Sequence, residues 1–387
     1  MMAAGNGRGN RKGENMSGRD LHAHPFTEET LAKLRIFENY TQEWIPTFVM
    51  SGFEKICIFD FFAGSGYDAI GVPGSPIRIL ELVAKNRDII FDKNTNVCVY
   101  FNEFAAEKYS CLEQACESYI EKTTALSSLK DAKKLKITYS NRDFAELFHE
   151  LLPTIKSEAS LVFLDQNGVK FVADEYFIPL TYTQKTDFLY FIASSYANRF
   201  KETDEFKKYL PDFKPTPDEN GSFNDIHNEL VAYLRQRIPP LSGVKLYPFS
   251  IKKGRNIYGI VFGSSHIRGV DKFLRTAWKE NPENGEANFD IRNDEMAIID
   301  LFEGQKLTKI ELFQSEFEKA IFAGRIKNNR DAFLFTLDRG HIPQHASDVM
   351  NRLKKEGRVT FDSRSPKIAY EYCCKKDVPL LEYRLIK

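Results

Sequence analysis

No uninterrupted apolar run in this 387-residue chain approaches the roughly 18 residues that a membrane-crossing helix needs. Net charge is missing as well: 54 Lys+Arg offset 54 Asp+Glu. That balance excludes the whole-chain basic signature of a nucleic-acid binder and leaves only local patches to carry such a role. Cysteine is sparse. The six are Cys57, Cys98, Cys111, Cys116, Cys373 and Cys374; none forms a CxxC pair or a Cys/His cluster with zinc spacing, so no metal site is expected. Buried thiols in a reducing, cytoplasmic compartment are the expectation instead. GxxxxGK[ST] is absent, which argues against a P-loop NTPase. GxSxG is absent, so Ser264-Ser265-His266 does not read as a hydrolase nucleophile. The first 20 residues are rich in Gly, Asn and Arg rather than apolar. They read as no secretion signal, and residues 1–24 are expected to be a disordered tail.

What is present is a large apolar and aromatic fraction, 42% hydrophobic with 32 Phe and 17 Tyr. That is enough for a substantial core and two units. A helical pattern over 27–44 opens the first. Strand-like runs then follow at 55–62, 96–103, 135–144, 160–168 and 187–195, with helical patterns between them. The alternation predicts an α/β fold with a doubly wound, mostly parallel, Rossmann-like sheet. This domain is expected to span 25–298, with a polar, Pro-interrupted insertion at about 201–243. KLYPFSIKK and NIYGIVFGSS read as two more strands joined at Lys253-Gly254-Arg255. Three compact helices and an expected hairpin at VTFDSRSPKIAYEY then give the order of a winged helix-turn-helix over 299–387.

Ligands of such sheets sit beyond the carboxyl ends of the strands, so the polar strand ends carry the chemistry. The first is Asp60-Phe61-Phe62-Ala63-Gly64-Ser65-Gly66. Its two glycines permit positive φ and close approach of backbone to a ligand, but they are fewer than a dinucleotide loop uses. Glu103 ends the second strand, where a carboxylate can accept from both ribose hydroxyls. Asp143 follows the third and is placed to meet an adenine amino group. Together Asp60, Phe62, Ala63, Gly64, Gly66, Glu103 and Asp143 predict an S-adenosylmethionine site. Asp165, Gln166 and Asn167 end the fourth strand, where a methyl acceptor would lie, although no Pro-Pro-aromatic follows Asp165. His149 and His227 read as surface or packing residues. His266 and Asp271 are expected to border the cofactor cleft. In the C-terminal unit, Arg339, His345, Arg352, Lys354 and Lys355 are expected to point out towards phosphates or base edges.

The segments FDFFAGSGYDAIGVPGSPIRILE, FLDQNGVKF, TDFLYFIASSYANRF and IYGIVFGSSHIRGVDKFLRTAWKENPENGEANFDI resemble the three-Cys-motif partner proteins, over about residues 25–360. The resemblance implies a methyltransferase-like fold of class I type and a partner protein of radical, iron–sulfur type. It also implies a role in phage defence or nucleic-acid modification. It assigns no catalytic residue. Three functions stand open at this point: a nucleic-acid methyltransferase, a non-catalytic subunit serving the three-Cys partner, and a cofactor-sensing transcription regulator.

Overall fold

The computed structural model describes residues 25–166, 168–200, 202–218, 221–291 and 307–386; the expected N-terminal tail lies outside them. The chain begins with α1 (Glu28–Met50), which continues past Trp44 through Pro46. The alternating core follows as β1 (Lys55–Asp60), α2 (Ser75–Lys85), α3 (Arg87–Asp92), β2 (Asn96–Asn102), α4 (Ala106–Lys122), α5 (Thr124–Asp131), β3 (Leu135–Ser140), α6 (Phe144–Ser157), β4 (Ala159–Asp165), α7 (Asp174–Thr181) and β5 (Thr186–Ile192). Helices α8 (Ser195–Phe200), α9 (Asp204–Tyr209) and α10 (Ile226–Arg237) lead to the long hairpin β6 (Lys245–Lys253) and β7 (Asn256–Ser264), and then to α11 (Ile267–Glu280).

The seven strands form one sheet in the order β3-β2-β1-β4-β5-β7-β6. Strands β1 to β5 are parallel, while β7 runs antiparallel to both β5 and β6. Alternate side chains divide the core. Ile56 and Ile58 pack with α1, α2, α4 and α11, whereas Cys57 and Phe59 pack with α6, α7 and α10. Covering both faces is why these strands read as continuous apolar runs rather than alternating ones. The direction of propagation reverses between β1 and β4, which makes their carboxyl ends the switch point.

The reversed β7 corrects one expectation. Ser264 pairs with Asp187 at the start of β5, so His266 and Asp271 lie at the edge opposite the strand-end cleft. There His266 Nδ1 accepts from Arg268 N at 3.2 Å, capping α11, and Asp271 accepts from Arg275 at 2.9 Å.

The C-terminal unit comprises α12 (Lys309–Phe322), α13 (Asn329–Asp338), α14 (Pro343–Lys355), β8 (Val359–Thr360), α15 (Tyr370–Cys373) and β9 (Arg384–Leu385). Thr308 and Glu311 form a capping box on α12, Asn328 caps α13, and Pro343 opens α14. The expected hairpin within VTFDSRSPKIAYEY is not formed: β8 pairs with β9. Asn329 Nδ2 donates to Lys367 O and Tyr372 O, both at 3.1 Å. Those bonds hold the intervening segment on α13, where it coils into α15 with Ile368 and Cys373 in the core.

This unit docks on α11 and β6. Trp278 Nε1 donates to Gly340 O at 2.8 Å, and its ring meets His345 edge-on at 4.4 Å. Tyr247 donates to Leu337 O at 2.9 Å. Lys309 donates to Asn284 O at 2.6 Å and pairs with Glu286 at 2.7 Å.

Candidate functional site

The loops after β1, β2 and β3 are stitched together by backbone-directed side chains. Asn102 donates to Phe61 O at 3.2 Å and Arg142 O at 3.1 Å, and accepts from Arg142 N. Asn141 donates to Glu103 O at 2.7 Å and Phe104 O at 2.9 Å. Glu103 stands at the centre: Oε2 accepts from Gly64 N at 3.0 Å and Oε1 from Ala105 N at 2.8 Å. Each carboxylate oxygen keeps a second lone pair, so Glu103 can brace the glycine loop and still accept from a ligand.

Glycine is required in that loop. Gly64 and Gly66 have φ of 68° and 89°, and a Cβ on Gly66 would lie 3.0 Å from that of Ala115. The loop is therefore pressed against α4. Asp60 lies beneath it, 1% exposed, accepting from Phe62 N at 3.2 Å and Ser75 Oγ at 2.6 Å. Burial pushes its pKa up to about 7; the Ser75 bond opposes this, while the charge of Asp165 adds to it. Asp60 thus ties the strand end to the start of α2, and Ala63 is buried with it. Phe62 stacks on Phe144 at 5.2 Å between ring centres and tilts against Phe171 at 5.6 Å. Asp143 caps α6 through Oδ1, which accepts from Ala145 N at 2.8 Å.

At the end of β4, Asp165 Oδ2 is held by Lys33 Nζ from α1. Lys33 is 8% exposed, and its ammonium sits 4.4 Å from the centre of the Phe191 ring. A buried charge is retained only when paired. Gln166 turns inward, 1% exposed; its Oε1 accepts from Phe171 N at 2.7 Å, so it braces the loop after β4. Asn167 lies outside the described residues. Beyond β5, Ser194 Oγ bonds His227 Nδ1 at 2.8 Å, and His227 Nε2 meets Ile260 O at 3.0 Å. A carbonyl only accepts, so Nε2 carries the proton and Ser194 donates to Nδ1. Burial lowers the His227 pKa to about 4. This is a satisfied core histidine, and His149 is exposed.

Two site residues escaped sequence reasoning. Phe104, directly after Glu103, is 69% exposed; its position after a strand-end acid was the available signal. Lys33 had none, because only the fold brings α1 over β4, 132 positions away in sequence.

The expected nucleic-acid face changes most. His345 is 8% exposed, packed on Trp278 and bonded Nδ1 to Nδ1 with His341 at 3.0 Å. It does not point outward, because this side of α14 faces the docking surface. Lys354 Nζ donates to Phe361 O at 3.2 Å and Ser363 O at 2.7 Å. Arg352 and Arg358 both pair with Glu318, at 2.6 and 2.7 Å, and Arg339 pairs with Glu316 at 2.9 Å. Lys355 is exposed.

Residues 288–366 match the family model of the GMT-like wHTH domain, so the C-terminal region is a winged helix-turn-helix; 292–306 of that range lie outside the described residues. No curated protein sequence matches the chain. Among solved structures, Trm1 from Pyrococcus horikoshii, in complex with S-adenosyl-L-methionine, is similar at 11% identity and TM-score 0.32, over 63% of this chain. This chain spans 58% of that protein's length. SCL7 from Oryza sativa is similar at 10% identity and TM-score 0.24, over 61% of this chain and 83% of its own. Likenesses of this size carry no argument about activity. The protein is a mixed α/β molecule with a mostly parallel central sheet and a winged helix-turn-helix domain.

Proposed function

We propose that this chain is an S-adenosylmethionine-dependent methyltransferase acting on nucleic acid. The observation that carries the reading is Glu103, hydrogen-bonded to Gly64 N at the switch point with the Phe104 ring exposed beside it. These groups suit a nucleoside: the carboxylate for ribose hydroxyls and the ring for stacking of a base. Asp143 keeps Oδ2 without a hydrogen bond from the described residues, which suits an exocyclic amine. The cofactor, when bound, supplies an electrophilic methyl group. Lys33 fixes Asp165 through Oδ2 and leaves Oδ1 to accept from a target amine or hydroxyl, orienting its lone pair and taking up positive charge as it reacts. The winged helix would hold the polynucleotide.

The same proposal includes a three-Cys-motif protein as the working partner and a role in phage defence, supported by the sequence resemblance alone; co-purification from co-expressing cells tests the pairing. A second reading, a subunit that holds cofactor and nucleic acid without catalysis, is favoured by one feature. Gln166 is buried with its Oε1 spent on Phe171 N, and no Pro-Pro-aromatic run follows Asp165.

Calorimetry with S-adenosylmethionine and its demethylated product is the test. The expected result is binding of at least one, weakened at least tenfold, about 1.4 kcal/mol, by Glu103→Ala, with folding checked by circular dichroism. A well-folded wild type that binds neither would overturn the reading.

A further inference from the structure

The β6–β7 hairpin brings a second polar site to the same edge of the sheet. Because β6 runs parallel to β5, its carboxyl end and the turn Lys253-Gly254-Arg255 project beyond the strand ends, with Gly254 at a φ of 57°. Between this turn, the start of α8 and the 222–224 loop lies a cavity of about 440 Å³, within the size range of small-ligand sites. Its charged lining residues are Arg199, Lys252 and Arg255, and no described lining residue is acidic. Arg199 donates to Asn256 Oδ1. Lys252 Nζ donates to Asn224 Oδ1 at 3.3 Å. Arg255 is exposed and has no partner among the described residues. The bonds to neutral amides aim the cations without neutralising them, and an anion completes such a site. In an electroneutral chain, three cations without a lining acid make a local positive field.

We infer that this groove binds the phosphodiester backbone of a single-stranded nucleic acid. The inference deepens the methyltransferase reading and rests on its polynucleotide substrate. Two features select a strand over a free nucleotide. The groove is open to solvent along the strand-end edge, with exposed Arg199 and Arg255. It also neighbours the acceptor position: β5 and β7 are the first and second strands beyond β4, roughly 5 and 10 Å away at ordinary strand spacing. A phosphate held here leaves the adjoining nucleotide free to reach Asp165, and an unpaired strand supplies that nucleotide without the cost of extrusion.

The experiment is fluorescence anisotropy of a fluorescein-labelled 20-nucleotide oligo-uridine, titrated with the full chain at several salt concentrations. Wild type, Arg199→Glu/Arg255→Glu and the milder Arg199→Gln/Arg255→Gln are compared, with circular dichroism to verify folding. Both doubles are expected to lower affinity about tenfold or more and to reduce the slope of log K against log salt by about 1 to 2. S-adenosylmethionine affinity by calorimetry is expected to stay unchanged in both. If wild type binds and the folded glutamine double keeps its affinity and salt slope, the groove assignment fails while the nucleic-acid reading survives. If wild type binds no oligonucleotide, both fail. Uridine monophosphate that competes as well as the 20-mer at equal strand concentration would also overturn the assignment, by showing a free-nucleotide site.

Discussion

Arg352 and Arg358 on the winged-helix unit share Glu318, and Arg339 is held by Glu316. Arg255 at the β6–β7 turn has no acidic partner among the described residues, and Arg199 and Lys252 give their hydrogen bonds to asparagines. Both regions are rich in arginine and lysine, yet Arg339, Arg352 and Arg358 of the first are paired with carboxylates and the three cations of the second are not. A tally of basic residues along the sequence is therefore a poor guide to the field at a surface. What matters is whether a carboxylate from another element reaches the same guanidinium, and Glu318 on α12 reaches two. Exposed pairs of this kind add little to stability, commonly 1 kcal/mol or less, but they cancel the charge that a phosphate would meet.

Undocking the winged unit is the most drastic way to break this contrast. Trp278 is 3% exposed, with its indole on His345 and its N–H on Gly340 O. Trp278→Ala is expected to cost about 3–5 kcal/mol, as for large aromatics cut from a core, read as a lower midpoint in urea unfolding. It is also expected to let limited proteolysis release the C-terminal unit. A midpoint equal to wild type would mean that the docking surface is not part of the cooperative fold.

Freeing the paired arginines sharpens the contrast instead. Arg352 and Arg358 also share Glu356, at 3.6 and 3.5 Å. The double change Glu318→Gln/Glu356→Gln therefore removes both shared acids, and oligonucleotide affinity is expected to rise about three- to tenfold with a steeper salt slope. Unchanged affinity would show that the exposed face of α14 is not in the path of the nucleic acid.

The smallest effect concerns pH. Burial lowers the His345 pKa to about 4, opposed by Asp348 and assisted by Lys309, against about 6.5 in an unfolded chain. Between these values the unfolded state binds the proton and the folded state does not, so this stability is full above about 6.5 and is lost as pH falls towards 4. Asp60, raised to about 7, and Asp187, raised to about 6, act oppositely: their protonated forms favour folding at low pH, and that share is lost as pH rises. Both aspartates remain in His345→Asn. The difference in Tm between wild type and His345→Asn should therefore shrink as pH drops from 7 to 4. A constant difference would place His345 outside the pH response.

Most of the strand-end site was legible locally. KICIFDFFAGSG marks a buried strand that stops at residues able to take positive φ. Asp165 ends β4, Glu103 directly follows β2, and Asp143 lies three residues beyond β3 at the start of α6. Their partners were not legible. Lys33 meets Asp165 across 132 residues, Glu103 spends hydrogen bonds on Gly64 and Ala105, and Gln166 folds inward. In the C-terminal unit the helix order could be read, while the side of α14 that is covered could not.

The difference is one of range. Periodicity, capping and glycine φ act over a few neighbouring residues, and so the order of strands and helices, the glycine loop after β1 and the three-helix order of the C-terminal unit are written in the chain. Strand direction, helix docking and charge pairing are settled by contacts between distant segments. The reversal of β7 sent His266 to the far edge and brought the β6–β7 turn to the near one. Docking on Trp278 buried His345, because a helix face carrying a histidine among Ala346, Val349 and Met350 reads the same whether it meets solvent or another domain.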